Sequence, residues 1–290
     1  MSVLKVFFLA LDALEYDFIC SRNFPNLKQR QFVKVHIPRG CMTMWPDGVV
    51  EPFTPVIWKI ILTGKNDQSE PAPPPVWPPP WKNRFLNLLR DIRIVQEIYA
   101  YCIRHSLIRR GFPEKIGFKR QEELDLKDSF IGYAETPILI HNPLDVSVKW
   151  ELEPFHGEFD PVKVVRVYRA DFEREREETL RRIDEEWDLF LIYSKFLDVV
   201  GHLLWQRDDV IEQYYTMVDQ FAGEIRSRIG DAFMMIVSDH GMMPLTGTRH
   251  QGGDHSHHAF ASFNREININ SPLKITDIHD IVREKLQERA

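Results

Sequence analysis

Apolar residues along this chain fall into unbroken runs and into runs at helical spacing, and the two kinds alternate. Leu4 to Leu11 is nearly continuous, interrupted once by Lys5 and closed by Asp12, which is the pattern of a strand buried on both faces of a parallel sheet. Leu189 to Tyr193 (LFLIY) and Phe233 to Val237 (FMMIV) repeat it, whereas Phe32 to Ile37 (FVKVHI) alternates like a strand nearer a sheet edge. His258 to Phe263 reads as a further strand and Pro137 to His141 as a short one. Between them, residues 82–110, 171–186, 208–228 and 276–289 carry helical periodicity. A shorter helix is expected to begin at Thr54, a good N-cap followed by Pro55 in the first turn, and to stop at Gly64. This alternation predicts one α/β domain over 1–290, with a mostly parallel sheet and helices on both faces.

Two segments break the pattern. Residues 69–81 (SEPAPPPVWPPPW) hold two proline triplets, which forbid a helix or an interior strand and predict a stiff extended connector. Residues 111–160 are short of periodicity and rich in turn formers, and are expected to form an irregular cover.

Charge narrows the partners. With 37 Lys and Arg against 43 Asp and Glu, the net charge of −6 removes the electrostatic reason to expect a nucleic-acid scaffold or an anionic-membrane binder. The opening apolar run is far shorter than the ~20 residues of a spanning helix. Three scattered cysteines, Cys20, Cys41 and Cys102, give neither a disulfide framework nor a cysteine zinc site, and point to a reducing, cytoplasmic setting.

In parallel sheets, ligands sit beyond the carboxyl ends of the strands. The first strand runs into Asp12, the second buried run is followed by Asp198 and His202, and the third by Asp239 and His240. Five of the 11 histidines lie between 240 and 258, the later ones being His250, His255, His257 and His258. Asp198 and His202 converge if a helical turn starts there, and Gly252 and Gly253 let the histidine loop turn back. Any one of these residues alone would be read as a cap or a satisfied polar group. Together they predict a metal site of Asp and His ligands suited to zinc, manganese or iron.

These residues, in this order, resemble the alkaline phosphatase superfamily and, within it, the type I phosphodiesterase and nucleotide pyrophosphatase branch. The resemblance is carried by LALDALEYD and FPNL near the start, TPVIWKIILTGK, LDVVGH, VSDHGM and Gly253-Asp254-His255. It implies an alkaline phosphatase-like three-layer sandwich and two divalent metal ions, with zinc first and manganese or iron as alternatives. One ion would be held by Asp198, His202 and His255, the other by Asp12, Asp239, His240 and the hydroxyl of Thr54. His257 is the alternative to His255. Thr54 is implied as the catalytic nucleophile, and metal coordination is what would make a threonine hydroxyl reactive at neutral pH.

The chain also departs from the branch. Ile57 stands where an Asn is usual, and the Pro-rich connector replaces a usual Pro-x-x-His-Gly-Ile. Phosphate contacts would then fall to Lys59, Lys65 or Lys195. The implied activity is hydrolysis of a phosphodiester or pyrophosphate in a small phosphoester or nucleotide-like substrate. A phosphomonoesterase using the same machinery, and a non-hydrolytic metal- or nucleotide-binding module, are the alternatives.

Overall fold

The structure is a computed structural model and describes residues 4–44, 50–66, 69–71, 126–144, 161–244, 252–269 and 271–288. Its strands are β1 (Val6–Leu11), β2 (Gln31–His36), β3 (Met42–Met44), β4 (Val50–Pro52), β5 (Pro137–Ile140), β6 (Leu189–Ser194), β7 (Phe233–Ser238), β8 (Gly241–Pro244), β9 (Gly253–Ser256) and β10 (His258–Phe263). Its α-helices are α1 (Tyr16–Cys20), α2 (Pro25–Lys28), α3 (Thr54–Thr63), α4 (Pro161–Arg182), α5 (Phe196–Leu204), α6 (Asp208–Arg228) and α7 (Asp277–Gln287).

Six strands make the central sheet in the order β2-β10-β7-β1-β6-β5. β7, β1, β6 and β5 pair in parallel, while β10 runs antiparallel to both β7 and β2. The unbroken apolar runs are the reason for this placement. Every residue of β1 and of β7 is buried, so neither strand could face water on either side.

Alternate residues feed two cores. Phe7, Leu9 and Leu11 pack with Phe172 of α4, Val199 of α5 and Phe221 of α6. Val6, Phe8 and Ala10 pack with Trp58 and Ile61 of α3 and with Ile278 and Val282 of α7. Helices therefore cover both faces, giving the three-layer α/β sandwich expected from the sequence. The edges are blunted: on β2, Lys34 and His36 are exposed, and β5 is only four residues long and opens on Pro137, which brings no N–H.

Several expectations change. Thr54 is the first helical residue rather than the N-cap. Phe53 occupies the cap without a side-chain bond, and Pro55 is the second helical residue, still within the first turn, where its missing N–H is tolerated. Gly64 closes α3 in the left-handed region, at φ 68°. α4 starts at Pro161 instead of near 171, since Val164, Val165, Tyr168 and Phe172 already form a buried stripe at helical spacing. The connector at 69–81 beyond residue 71, the helix at 82–110 and the parts of 111–160 outside 126–144 lie outside the described residues. Within 126–144 the chain forms two short 3-10 turns and β5. No helix of the described residues is long and apolar enough to cross a membrane.

Candidate metal centre

Strand ends deliver the acidic and imidazole groups to one edge of the sheet. Asp12 follows β1 directly, and its N–H bonds to Ser194 O at the end of β6 (2.9 Å). Asp239 and His240 follow β7 and are fully buried. After β6 the chain turns straight into α5, whose four-residue spacing puts Asp198 Oδ1 3.2 Å from His202 Nε2. The β8-β9 hairpin supplies His255, whose Nε2 lies 3.0 Å from His202 Nε2 and 3.5 Å from Asp198 Oδ1.

Two groups result, side by side. The outer one is Asp198, His202 and His255, partly open to solvent, and the inner one joins Asp12 and His240, with Asp198 contributing a carboxylate oxygen there too. Asp239 Oδ2 lies 3.4 Å and Asp12 Oδ1 3.2 Å from His240 Nε2. Thr54 Oγ1, at the start of α3, is 3.0 Å from the same nitrogen. The imidazoles of His240 and His255 stack with centroids 3.8 Å apart, so the two groups share a wall.

The histidines are aimed by their other nitrogen. Nδ1 of His202 contacts Gly253 O (3.1 Å), that of His255 contacts Pro52 O (3.1 Å) and that of His240 contacts Gly241 O (3.0 Å). A carbonyl oxygen only accepts, so each Nδ1 carries a proton, and each ring, when neutral, turns its Nε2 lone pair into the cluster. The carboxylates present the same deficit. Asp12 Oδ1, Asp198 Oδ1 and both oxygens of Asp239 are buried without a hydrogen-bond partner. Converging lone pairs and unpaired carboxylate oxygens are costly unless a cation meets them. The donor set therefore fits divalent metal ions.

Electrostatics follow from the same crowding. Burial opposes ionisation of Asp198, but the imidazoles of His202 and His255 outweigh it and hold the carboxyl well below the usual range. Asp239 moves the other way: burial, then the charge of Asp12, raises it well above that range. Burial lowers His202, His240 and His255, yet their carboxylate neighbours, Asp198 and Asp12 foremost, raise all three overall.

All seven residues singled out as metal ligands meet here, and His257 is exposed. The three lysines are placed differently. Lys59 is exposed, five residues along α3 from Thr54 and hence about 140° around the helix from it. Lys65 lies beyond the far end of α3 and lines a separate cavity of about 350 Å³ with His279 and Arg283. Lys195 is the N-cap of α5, three residues before Asp198, with its Nζ 5.2 Å from the Tyr168 ring. Ile57 is fully buried in the core beneath α3.

Sequence reasoning passed over Tyr193. Its hydroxyl donates to Asp12 Oδ2 at 2.6 Å, and burial, followed by the charge of Asp12, raises its pKa so that it stays a donor. As the last letter of LFLIY it reads as one more core aromatic. The alternation along β6 is its only signal, because it sets Tyr193 on the α3 face, where Trp58 packs against it.

The family model for type I phosphodiesterase / nucleotide pyrophosphatase matches residues 54–286. That interval opens on Thr54 and takes in Asp198, His202, Asp239, His240 and His255, leaving Asp12 before it. No curated protein matches the chain in sequence. Among solved structures, murine ectonucleotide pyrophosphatase / phosphodiesterase 5, as an inactive variant in complex with AMP, is similar over 85% of this chain and 59% of that one, with 11% identity and a TM-score of 0.41. The chain thus spans about three fifths of the length of that protein. Ps i-CgsB in complex with k-i-k-neocarrahexaose is similar over 100% of this chain and 73% of that one, at 10% identity and a TM-score of 0.46. Alkaline phosphatase from the Antarctic bacterium TAB5 is similar over 100% of both chains, at 10% identity and a TM-score of 0.36.

Proposed function

The chain belongs to the type I phosphodiesterase / nucleotide pyrophosphatase family, and from that premise we propose that it is a two-metal hydrolase of phosphodiester or pyrophosphate bonds in small, nucleotide-like substrates. The observation that carries this reading is the set of four buried, unpartnered carboxylate oxygens of Asp12, Asp198 and Asp239, gathered with three imidazoles, one of which, His240, meets the Thr54 hydroxyl.

Asp198, His202 and His255 would hold one ion, and Asp12, Asp239, His240 and the Thr54 hydroxyl the other, a mixed imidazole and carboxylate set that suits zinc, with manganese or iron as alternatives. Bound there, divalent cations supply a lowered pKa for the threonine hydroxyl and neutralise charge on the attacking and departing oxygens. Thr54 Oγ1 forms the new bond to phosphorus as the bond to the leaving oxygen breaks, and the departing group takes up a proton. Water then cleaves the phosphothreonine, releasing the phosphoryl product and returning the hydroxyl.

The rest of the chain positions and shields. Tyr193 holds Asp12 by one oxygen and leaves the other for the ion. α3 offers the phosphate its positive dipole end rather than a cradle of amides, because Pro55 has no N–H and those of Val56 and Ile57 bond Phe53 O. Lys195 is the nearest of the candidate lysines along the chain to a ligand and is proposed as the phosphate contact. Cys41 is buried with a free thiol pushed up to about 11 by that burial, and Cys20 is free and exposed. A reducing, cytoplasmic setting is proposed on the three scattered cysteines of the sequence alone.

Metal analysis with parallel assays on a bis-aryl and a mono-aryl phosphate tests the reading. Two ions per chain, preference for the diester and a loss of at least about 10³-fold in kcat for Thr54→Ala are expected. Turnover unchanged in Thr54→Ala sinks the nucleophile, and clear preference for the monoester sinks the diesterase assignment.

A further inference from the structure

Three residues past Asp12 a further carboxylate is buried among different neighbours. Glu15 is 4% exposed. Its Oε1 accepts from the Asp17 N–H (2.9 Å) and from His258 Nε2 (2.7 Å), and its Oε2 from the Met242 N–H (2.9 Å) and the Ser256 hydroxyl (2.8 Å). Met242 is two residues beyond His240, and Ser256 follows His255. The turn that carries Glu15 is itself fixed. Ala13 sits in the left-handed region at φ 60°, the Leu14 N–H donates to Ser238 Oγ (2.8 Å) and the Glu15 N–H to the Tyr215 hydroxyl (2.9 Å). β8 comes down on the carboxylate so closely that a Cβ on Gly241 would collide with Glu15 Oε2.

This acid is no additional cation site. Glu15, Asp17 and His258 bring ligand atoms within 4.8 Å of one another, but each oxygen of Glu15 already accepts two hydrogen bonds, and the Lys34 ammonium lies 2.8 Å from Asp17 Oδ1.

We propose that Glu15 is a positioning residue for the metal centre, a single carboxylate that locks the turn after Asp12, β8 after His240 and β9 after His255 in the register at which their ligand atoms converge. The inference rests on reading the cluster as a metal centre. The chemistry is specific to a carboxylate: two oxygens meet four donors, so an amide in its place turns an NH₂ group toward two of them and pushes the hairpin away.

Zinc titration of the metal-free full chain by calorimetry tests it, with circular dichroism as the check on folding. Glu15→Gln is expected to lower zinc affinity about 10- to 100-fold with an unchanged spectrum. Ser256→Ala, which removes one donor, is expected to lower it by less, up to about 10-fold. At saturating zinc both variants are expected to regain kcat to within a few-fold of wild type. Folded Glu15→Gln with wild-type zinc affinity overturns the inference, and if that variant does not fold, Ser256→Ala with unchanged affinity does the same. Wild-type chain that binds no zinc overturns the metal reading beneath it, and wild-type chain that binds zinc without hydrolysing the aryl phosphates overturns only the proposed activity.

Discussion

Asp12 and Glu15 leave the same strand three residues apart, both buried and both facing histidines, yet their carboxylates live in opposite conditions. Asp12, with Asp198 and Asp239, keeps oxygens that no protein donor reaches. Glu15 has a donor for every direction it can accept from. Residue type and proximity do not separate the two clusters, since both bring His and acid atoms within ligand range. Hydrogen-bond satisfaction does. Glu175 on α4 shows a third way to bury an acid, by holding its proton up to near-neutral pH: burial raises its pKa to about 7 against the opposing Ser194 hydroxyl, with Asp171 adding to the rise.

The comparison breaks most sharply at Asp239. Asp239→Asn is expected to lower turnover at least about 10³-fold through loss of an inner ligand. In chelator, the same variant is expected to be more stable than wild type by about 1–3 kcal/mol, because it removes one of the crowded acids. Chemical denaturation with and without zinc checks the opposite signs. Glu15→Ala should do the reverse in chelator, losing about 3–5 kcal/mol as buried donors are left unmet.

Glu175 gives a pH signature instead. Its folded pKa of about 7 lies above the ordinary 4.5, so its contribution is fully present below about pH 4.5 and is lost as pH rises toward 7. Wild type should lose roughly 3 kcal/mol across that window relative to Glu175→Gln, and the difference should level off above it. Parallel denaturation series from pH 4.5 to 8 measure it. The smallest change belongs to Lys34→Ala. Its bridge to Asp17 joins side chains 42% and 65% exposed, and a stability loss under about 1 kcal/mol is expected. A larger loss would mean that the Glu15 cluster depends on its outer charge.

What could be read from the sequence follows the range of the forces involved. β1, β6 and β7 were legible because burial on both faces leaves an unbroken apolar run, and the polar residues ending those runs gave Asp12, Asp198 and Asp239. α5 was legible only as a condition on Asp198 and His202. The helical cap falls one residue earlier than Thr54 suggests, because a proline is tolerated anywhere in the first turn and Pro55 is the second helical residue here. The start of α4 was missed because its valines favour strands, and tertiary packing overrides that preference. Glu15 was out of reach for a different reason: its hairpin donors, Met242 and Ser256, lie 227 and 241 residues away, and no local pattern announces them. Tyr193 was hidden likewise, its acceptor lying 181 residues back.

The stacked rings of His240 and His255, 3.8 Å apart, together with the Asp198 carboxylate taking part in both groups, bear on how the centre would fill. On the proposed reading, the two ions do not load independently. Whatever factor the first imposes on the affinity of the second, the second imposes on the first, so a zinc titration should be fitted as a linked pair, and a ligand substitution in one half should register in the occupancy of the other.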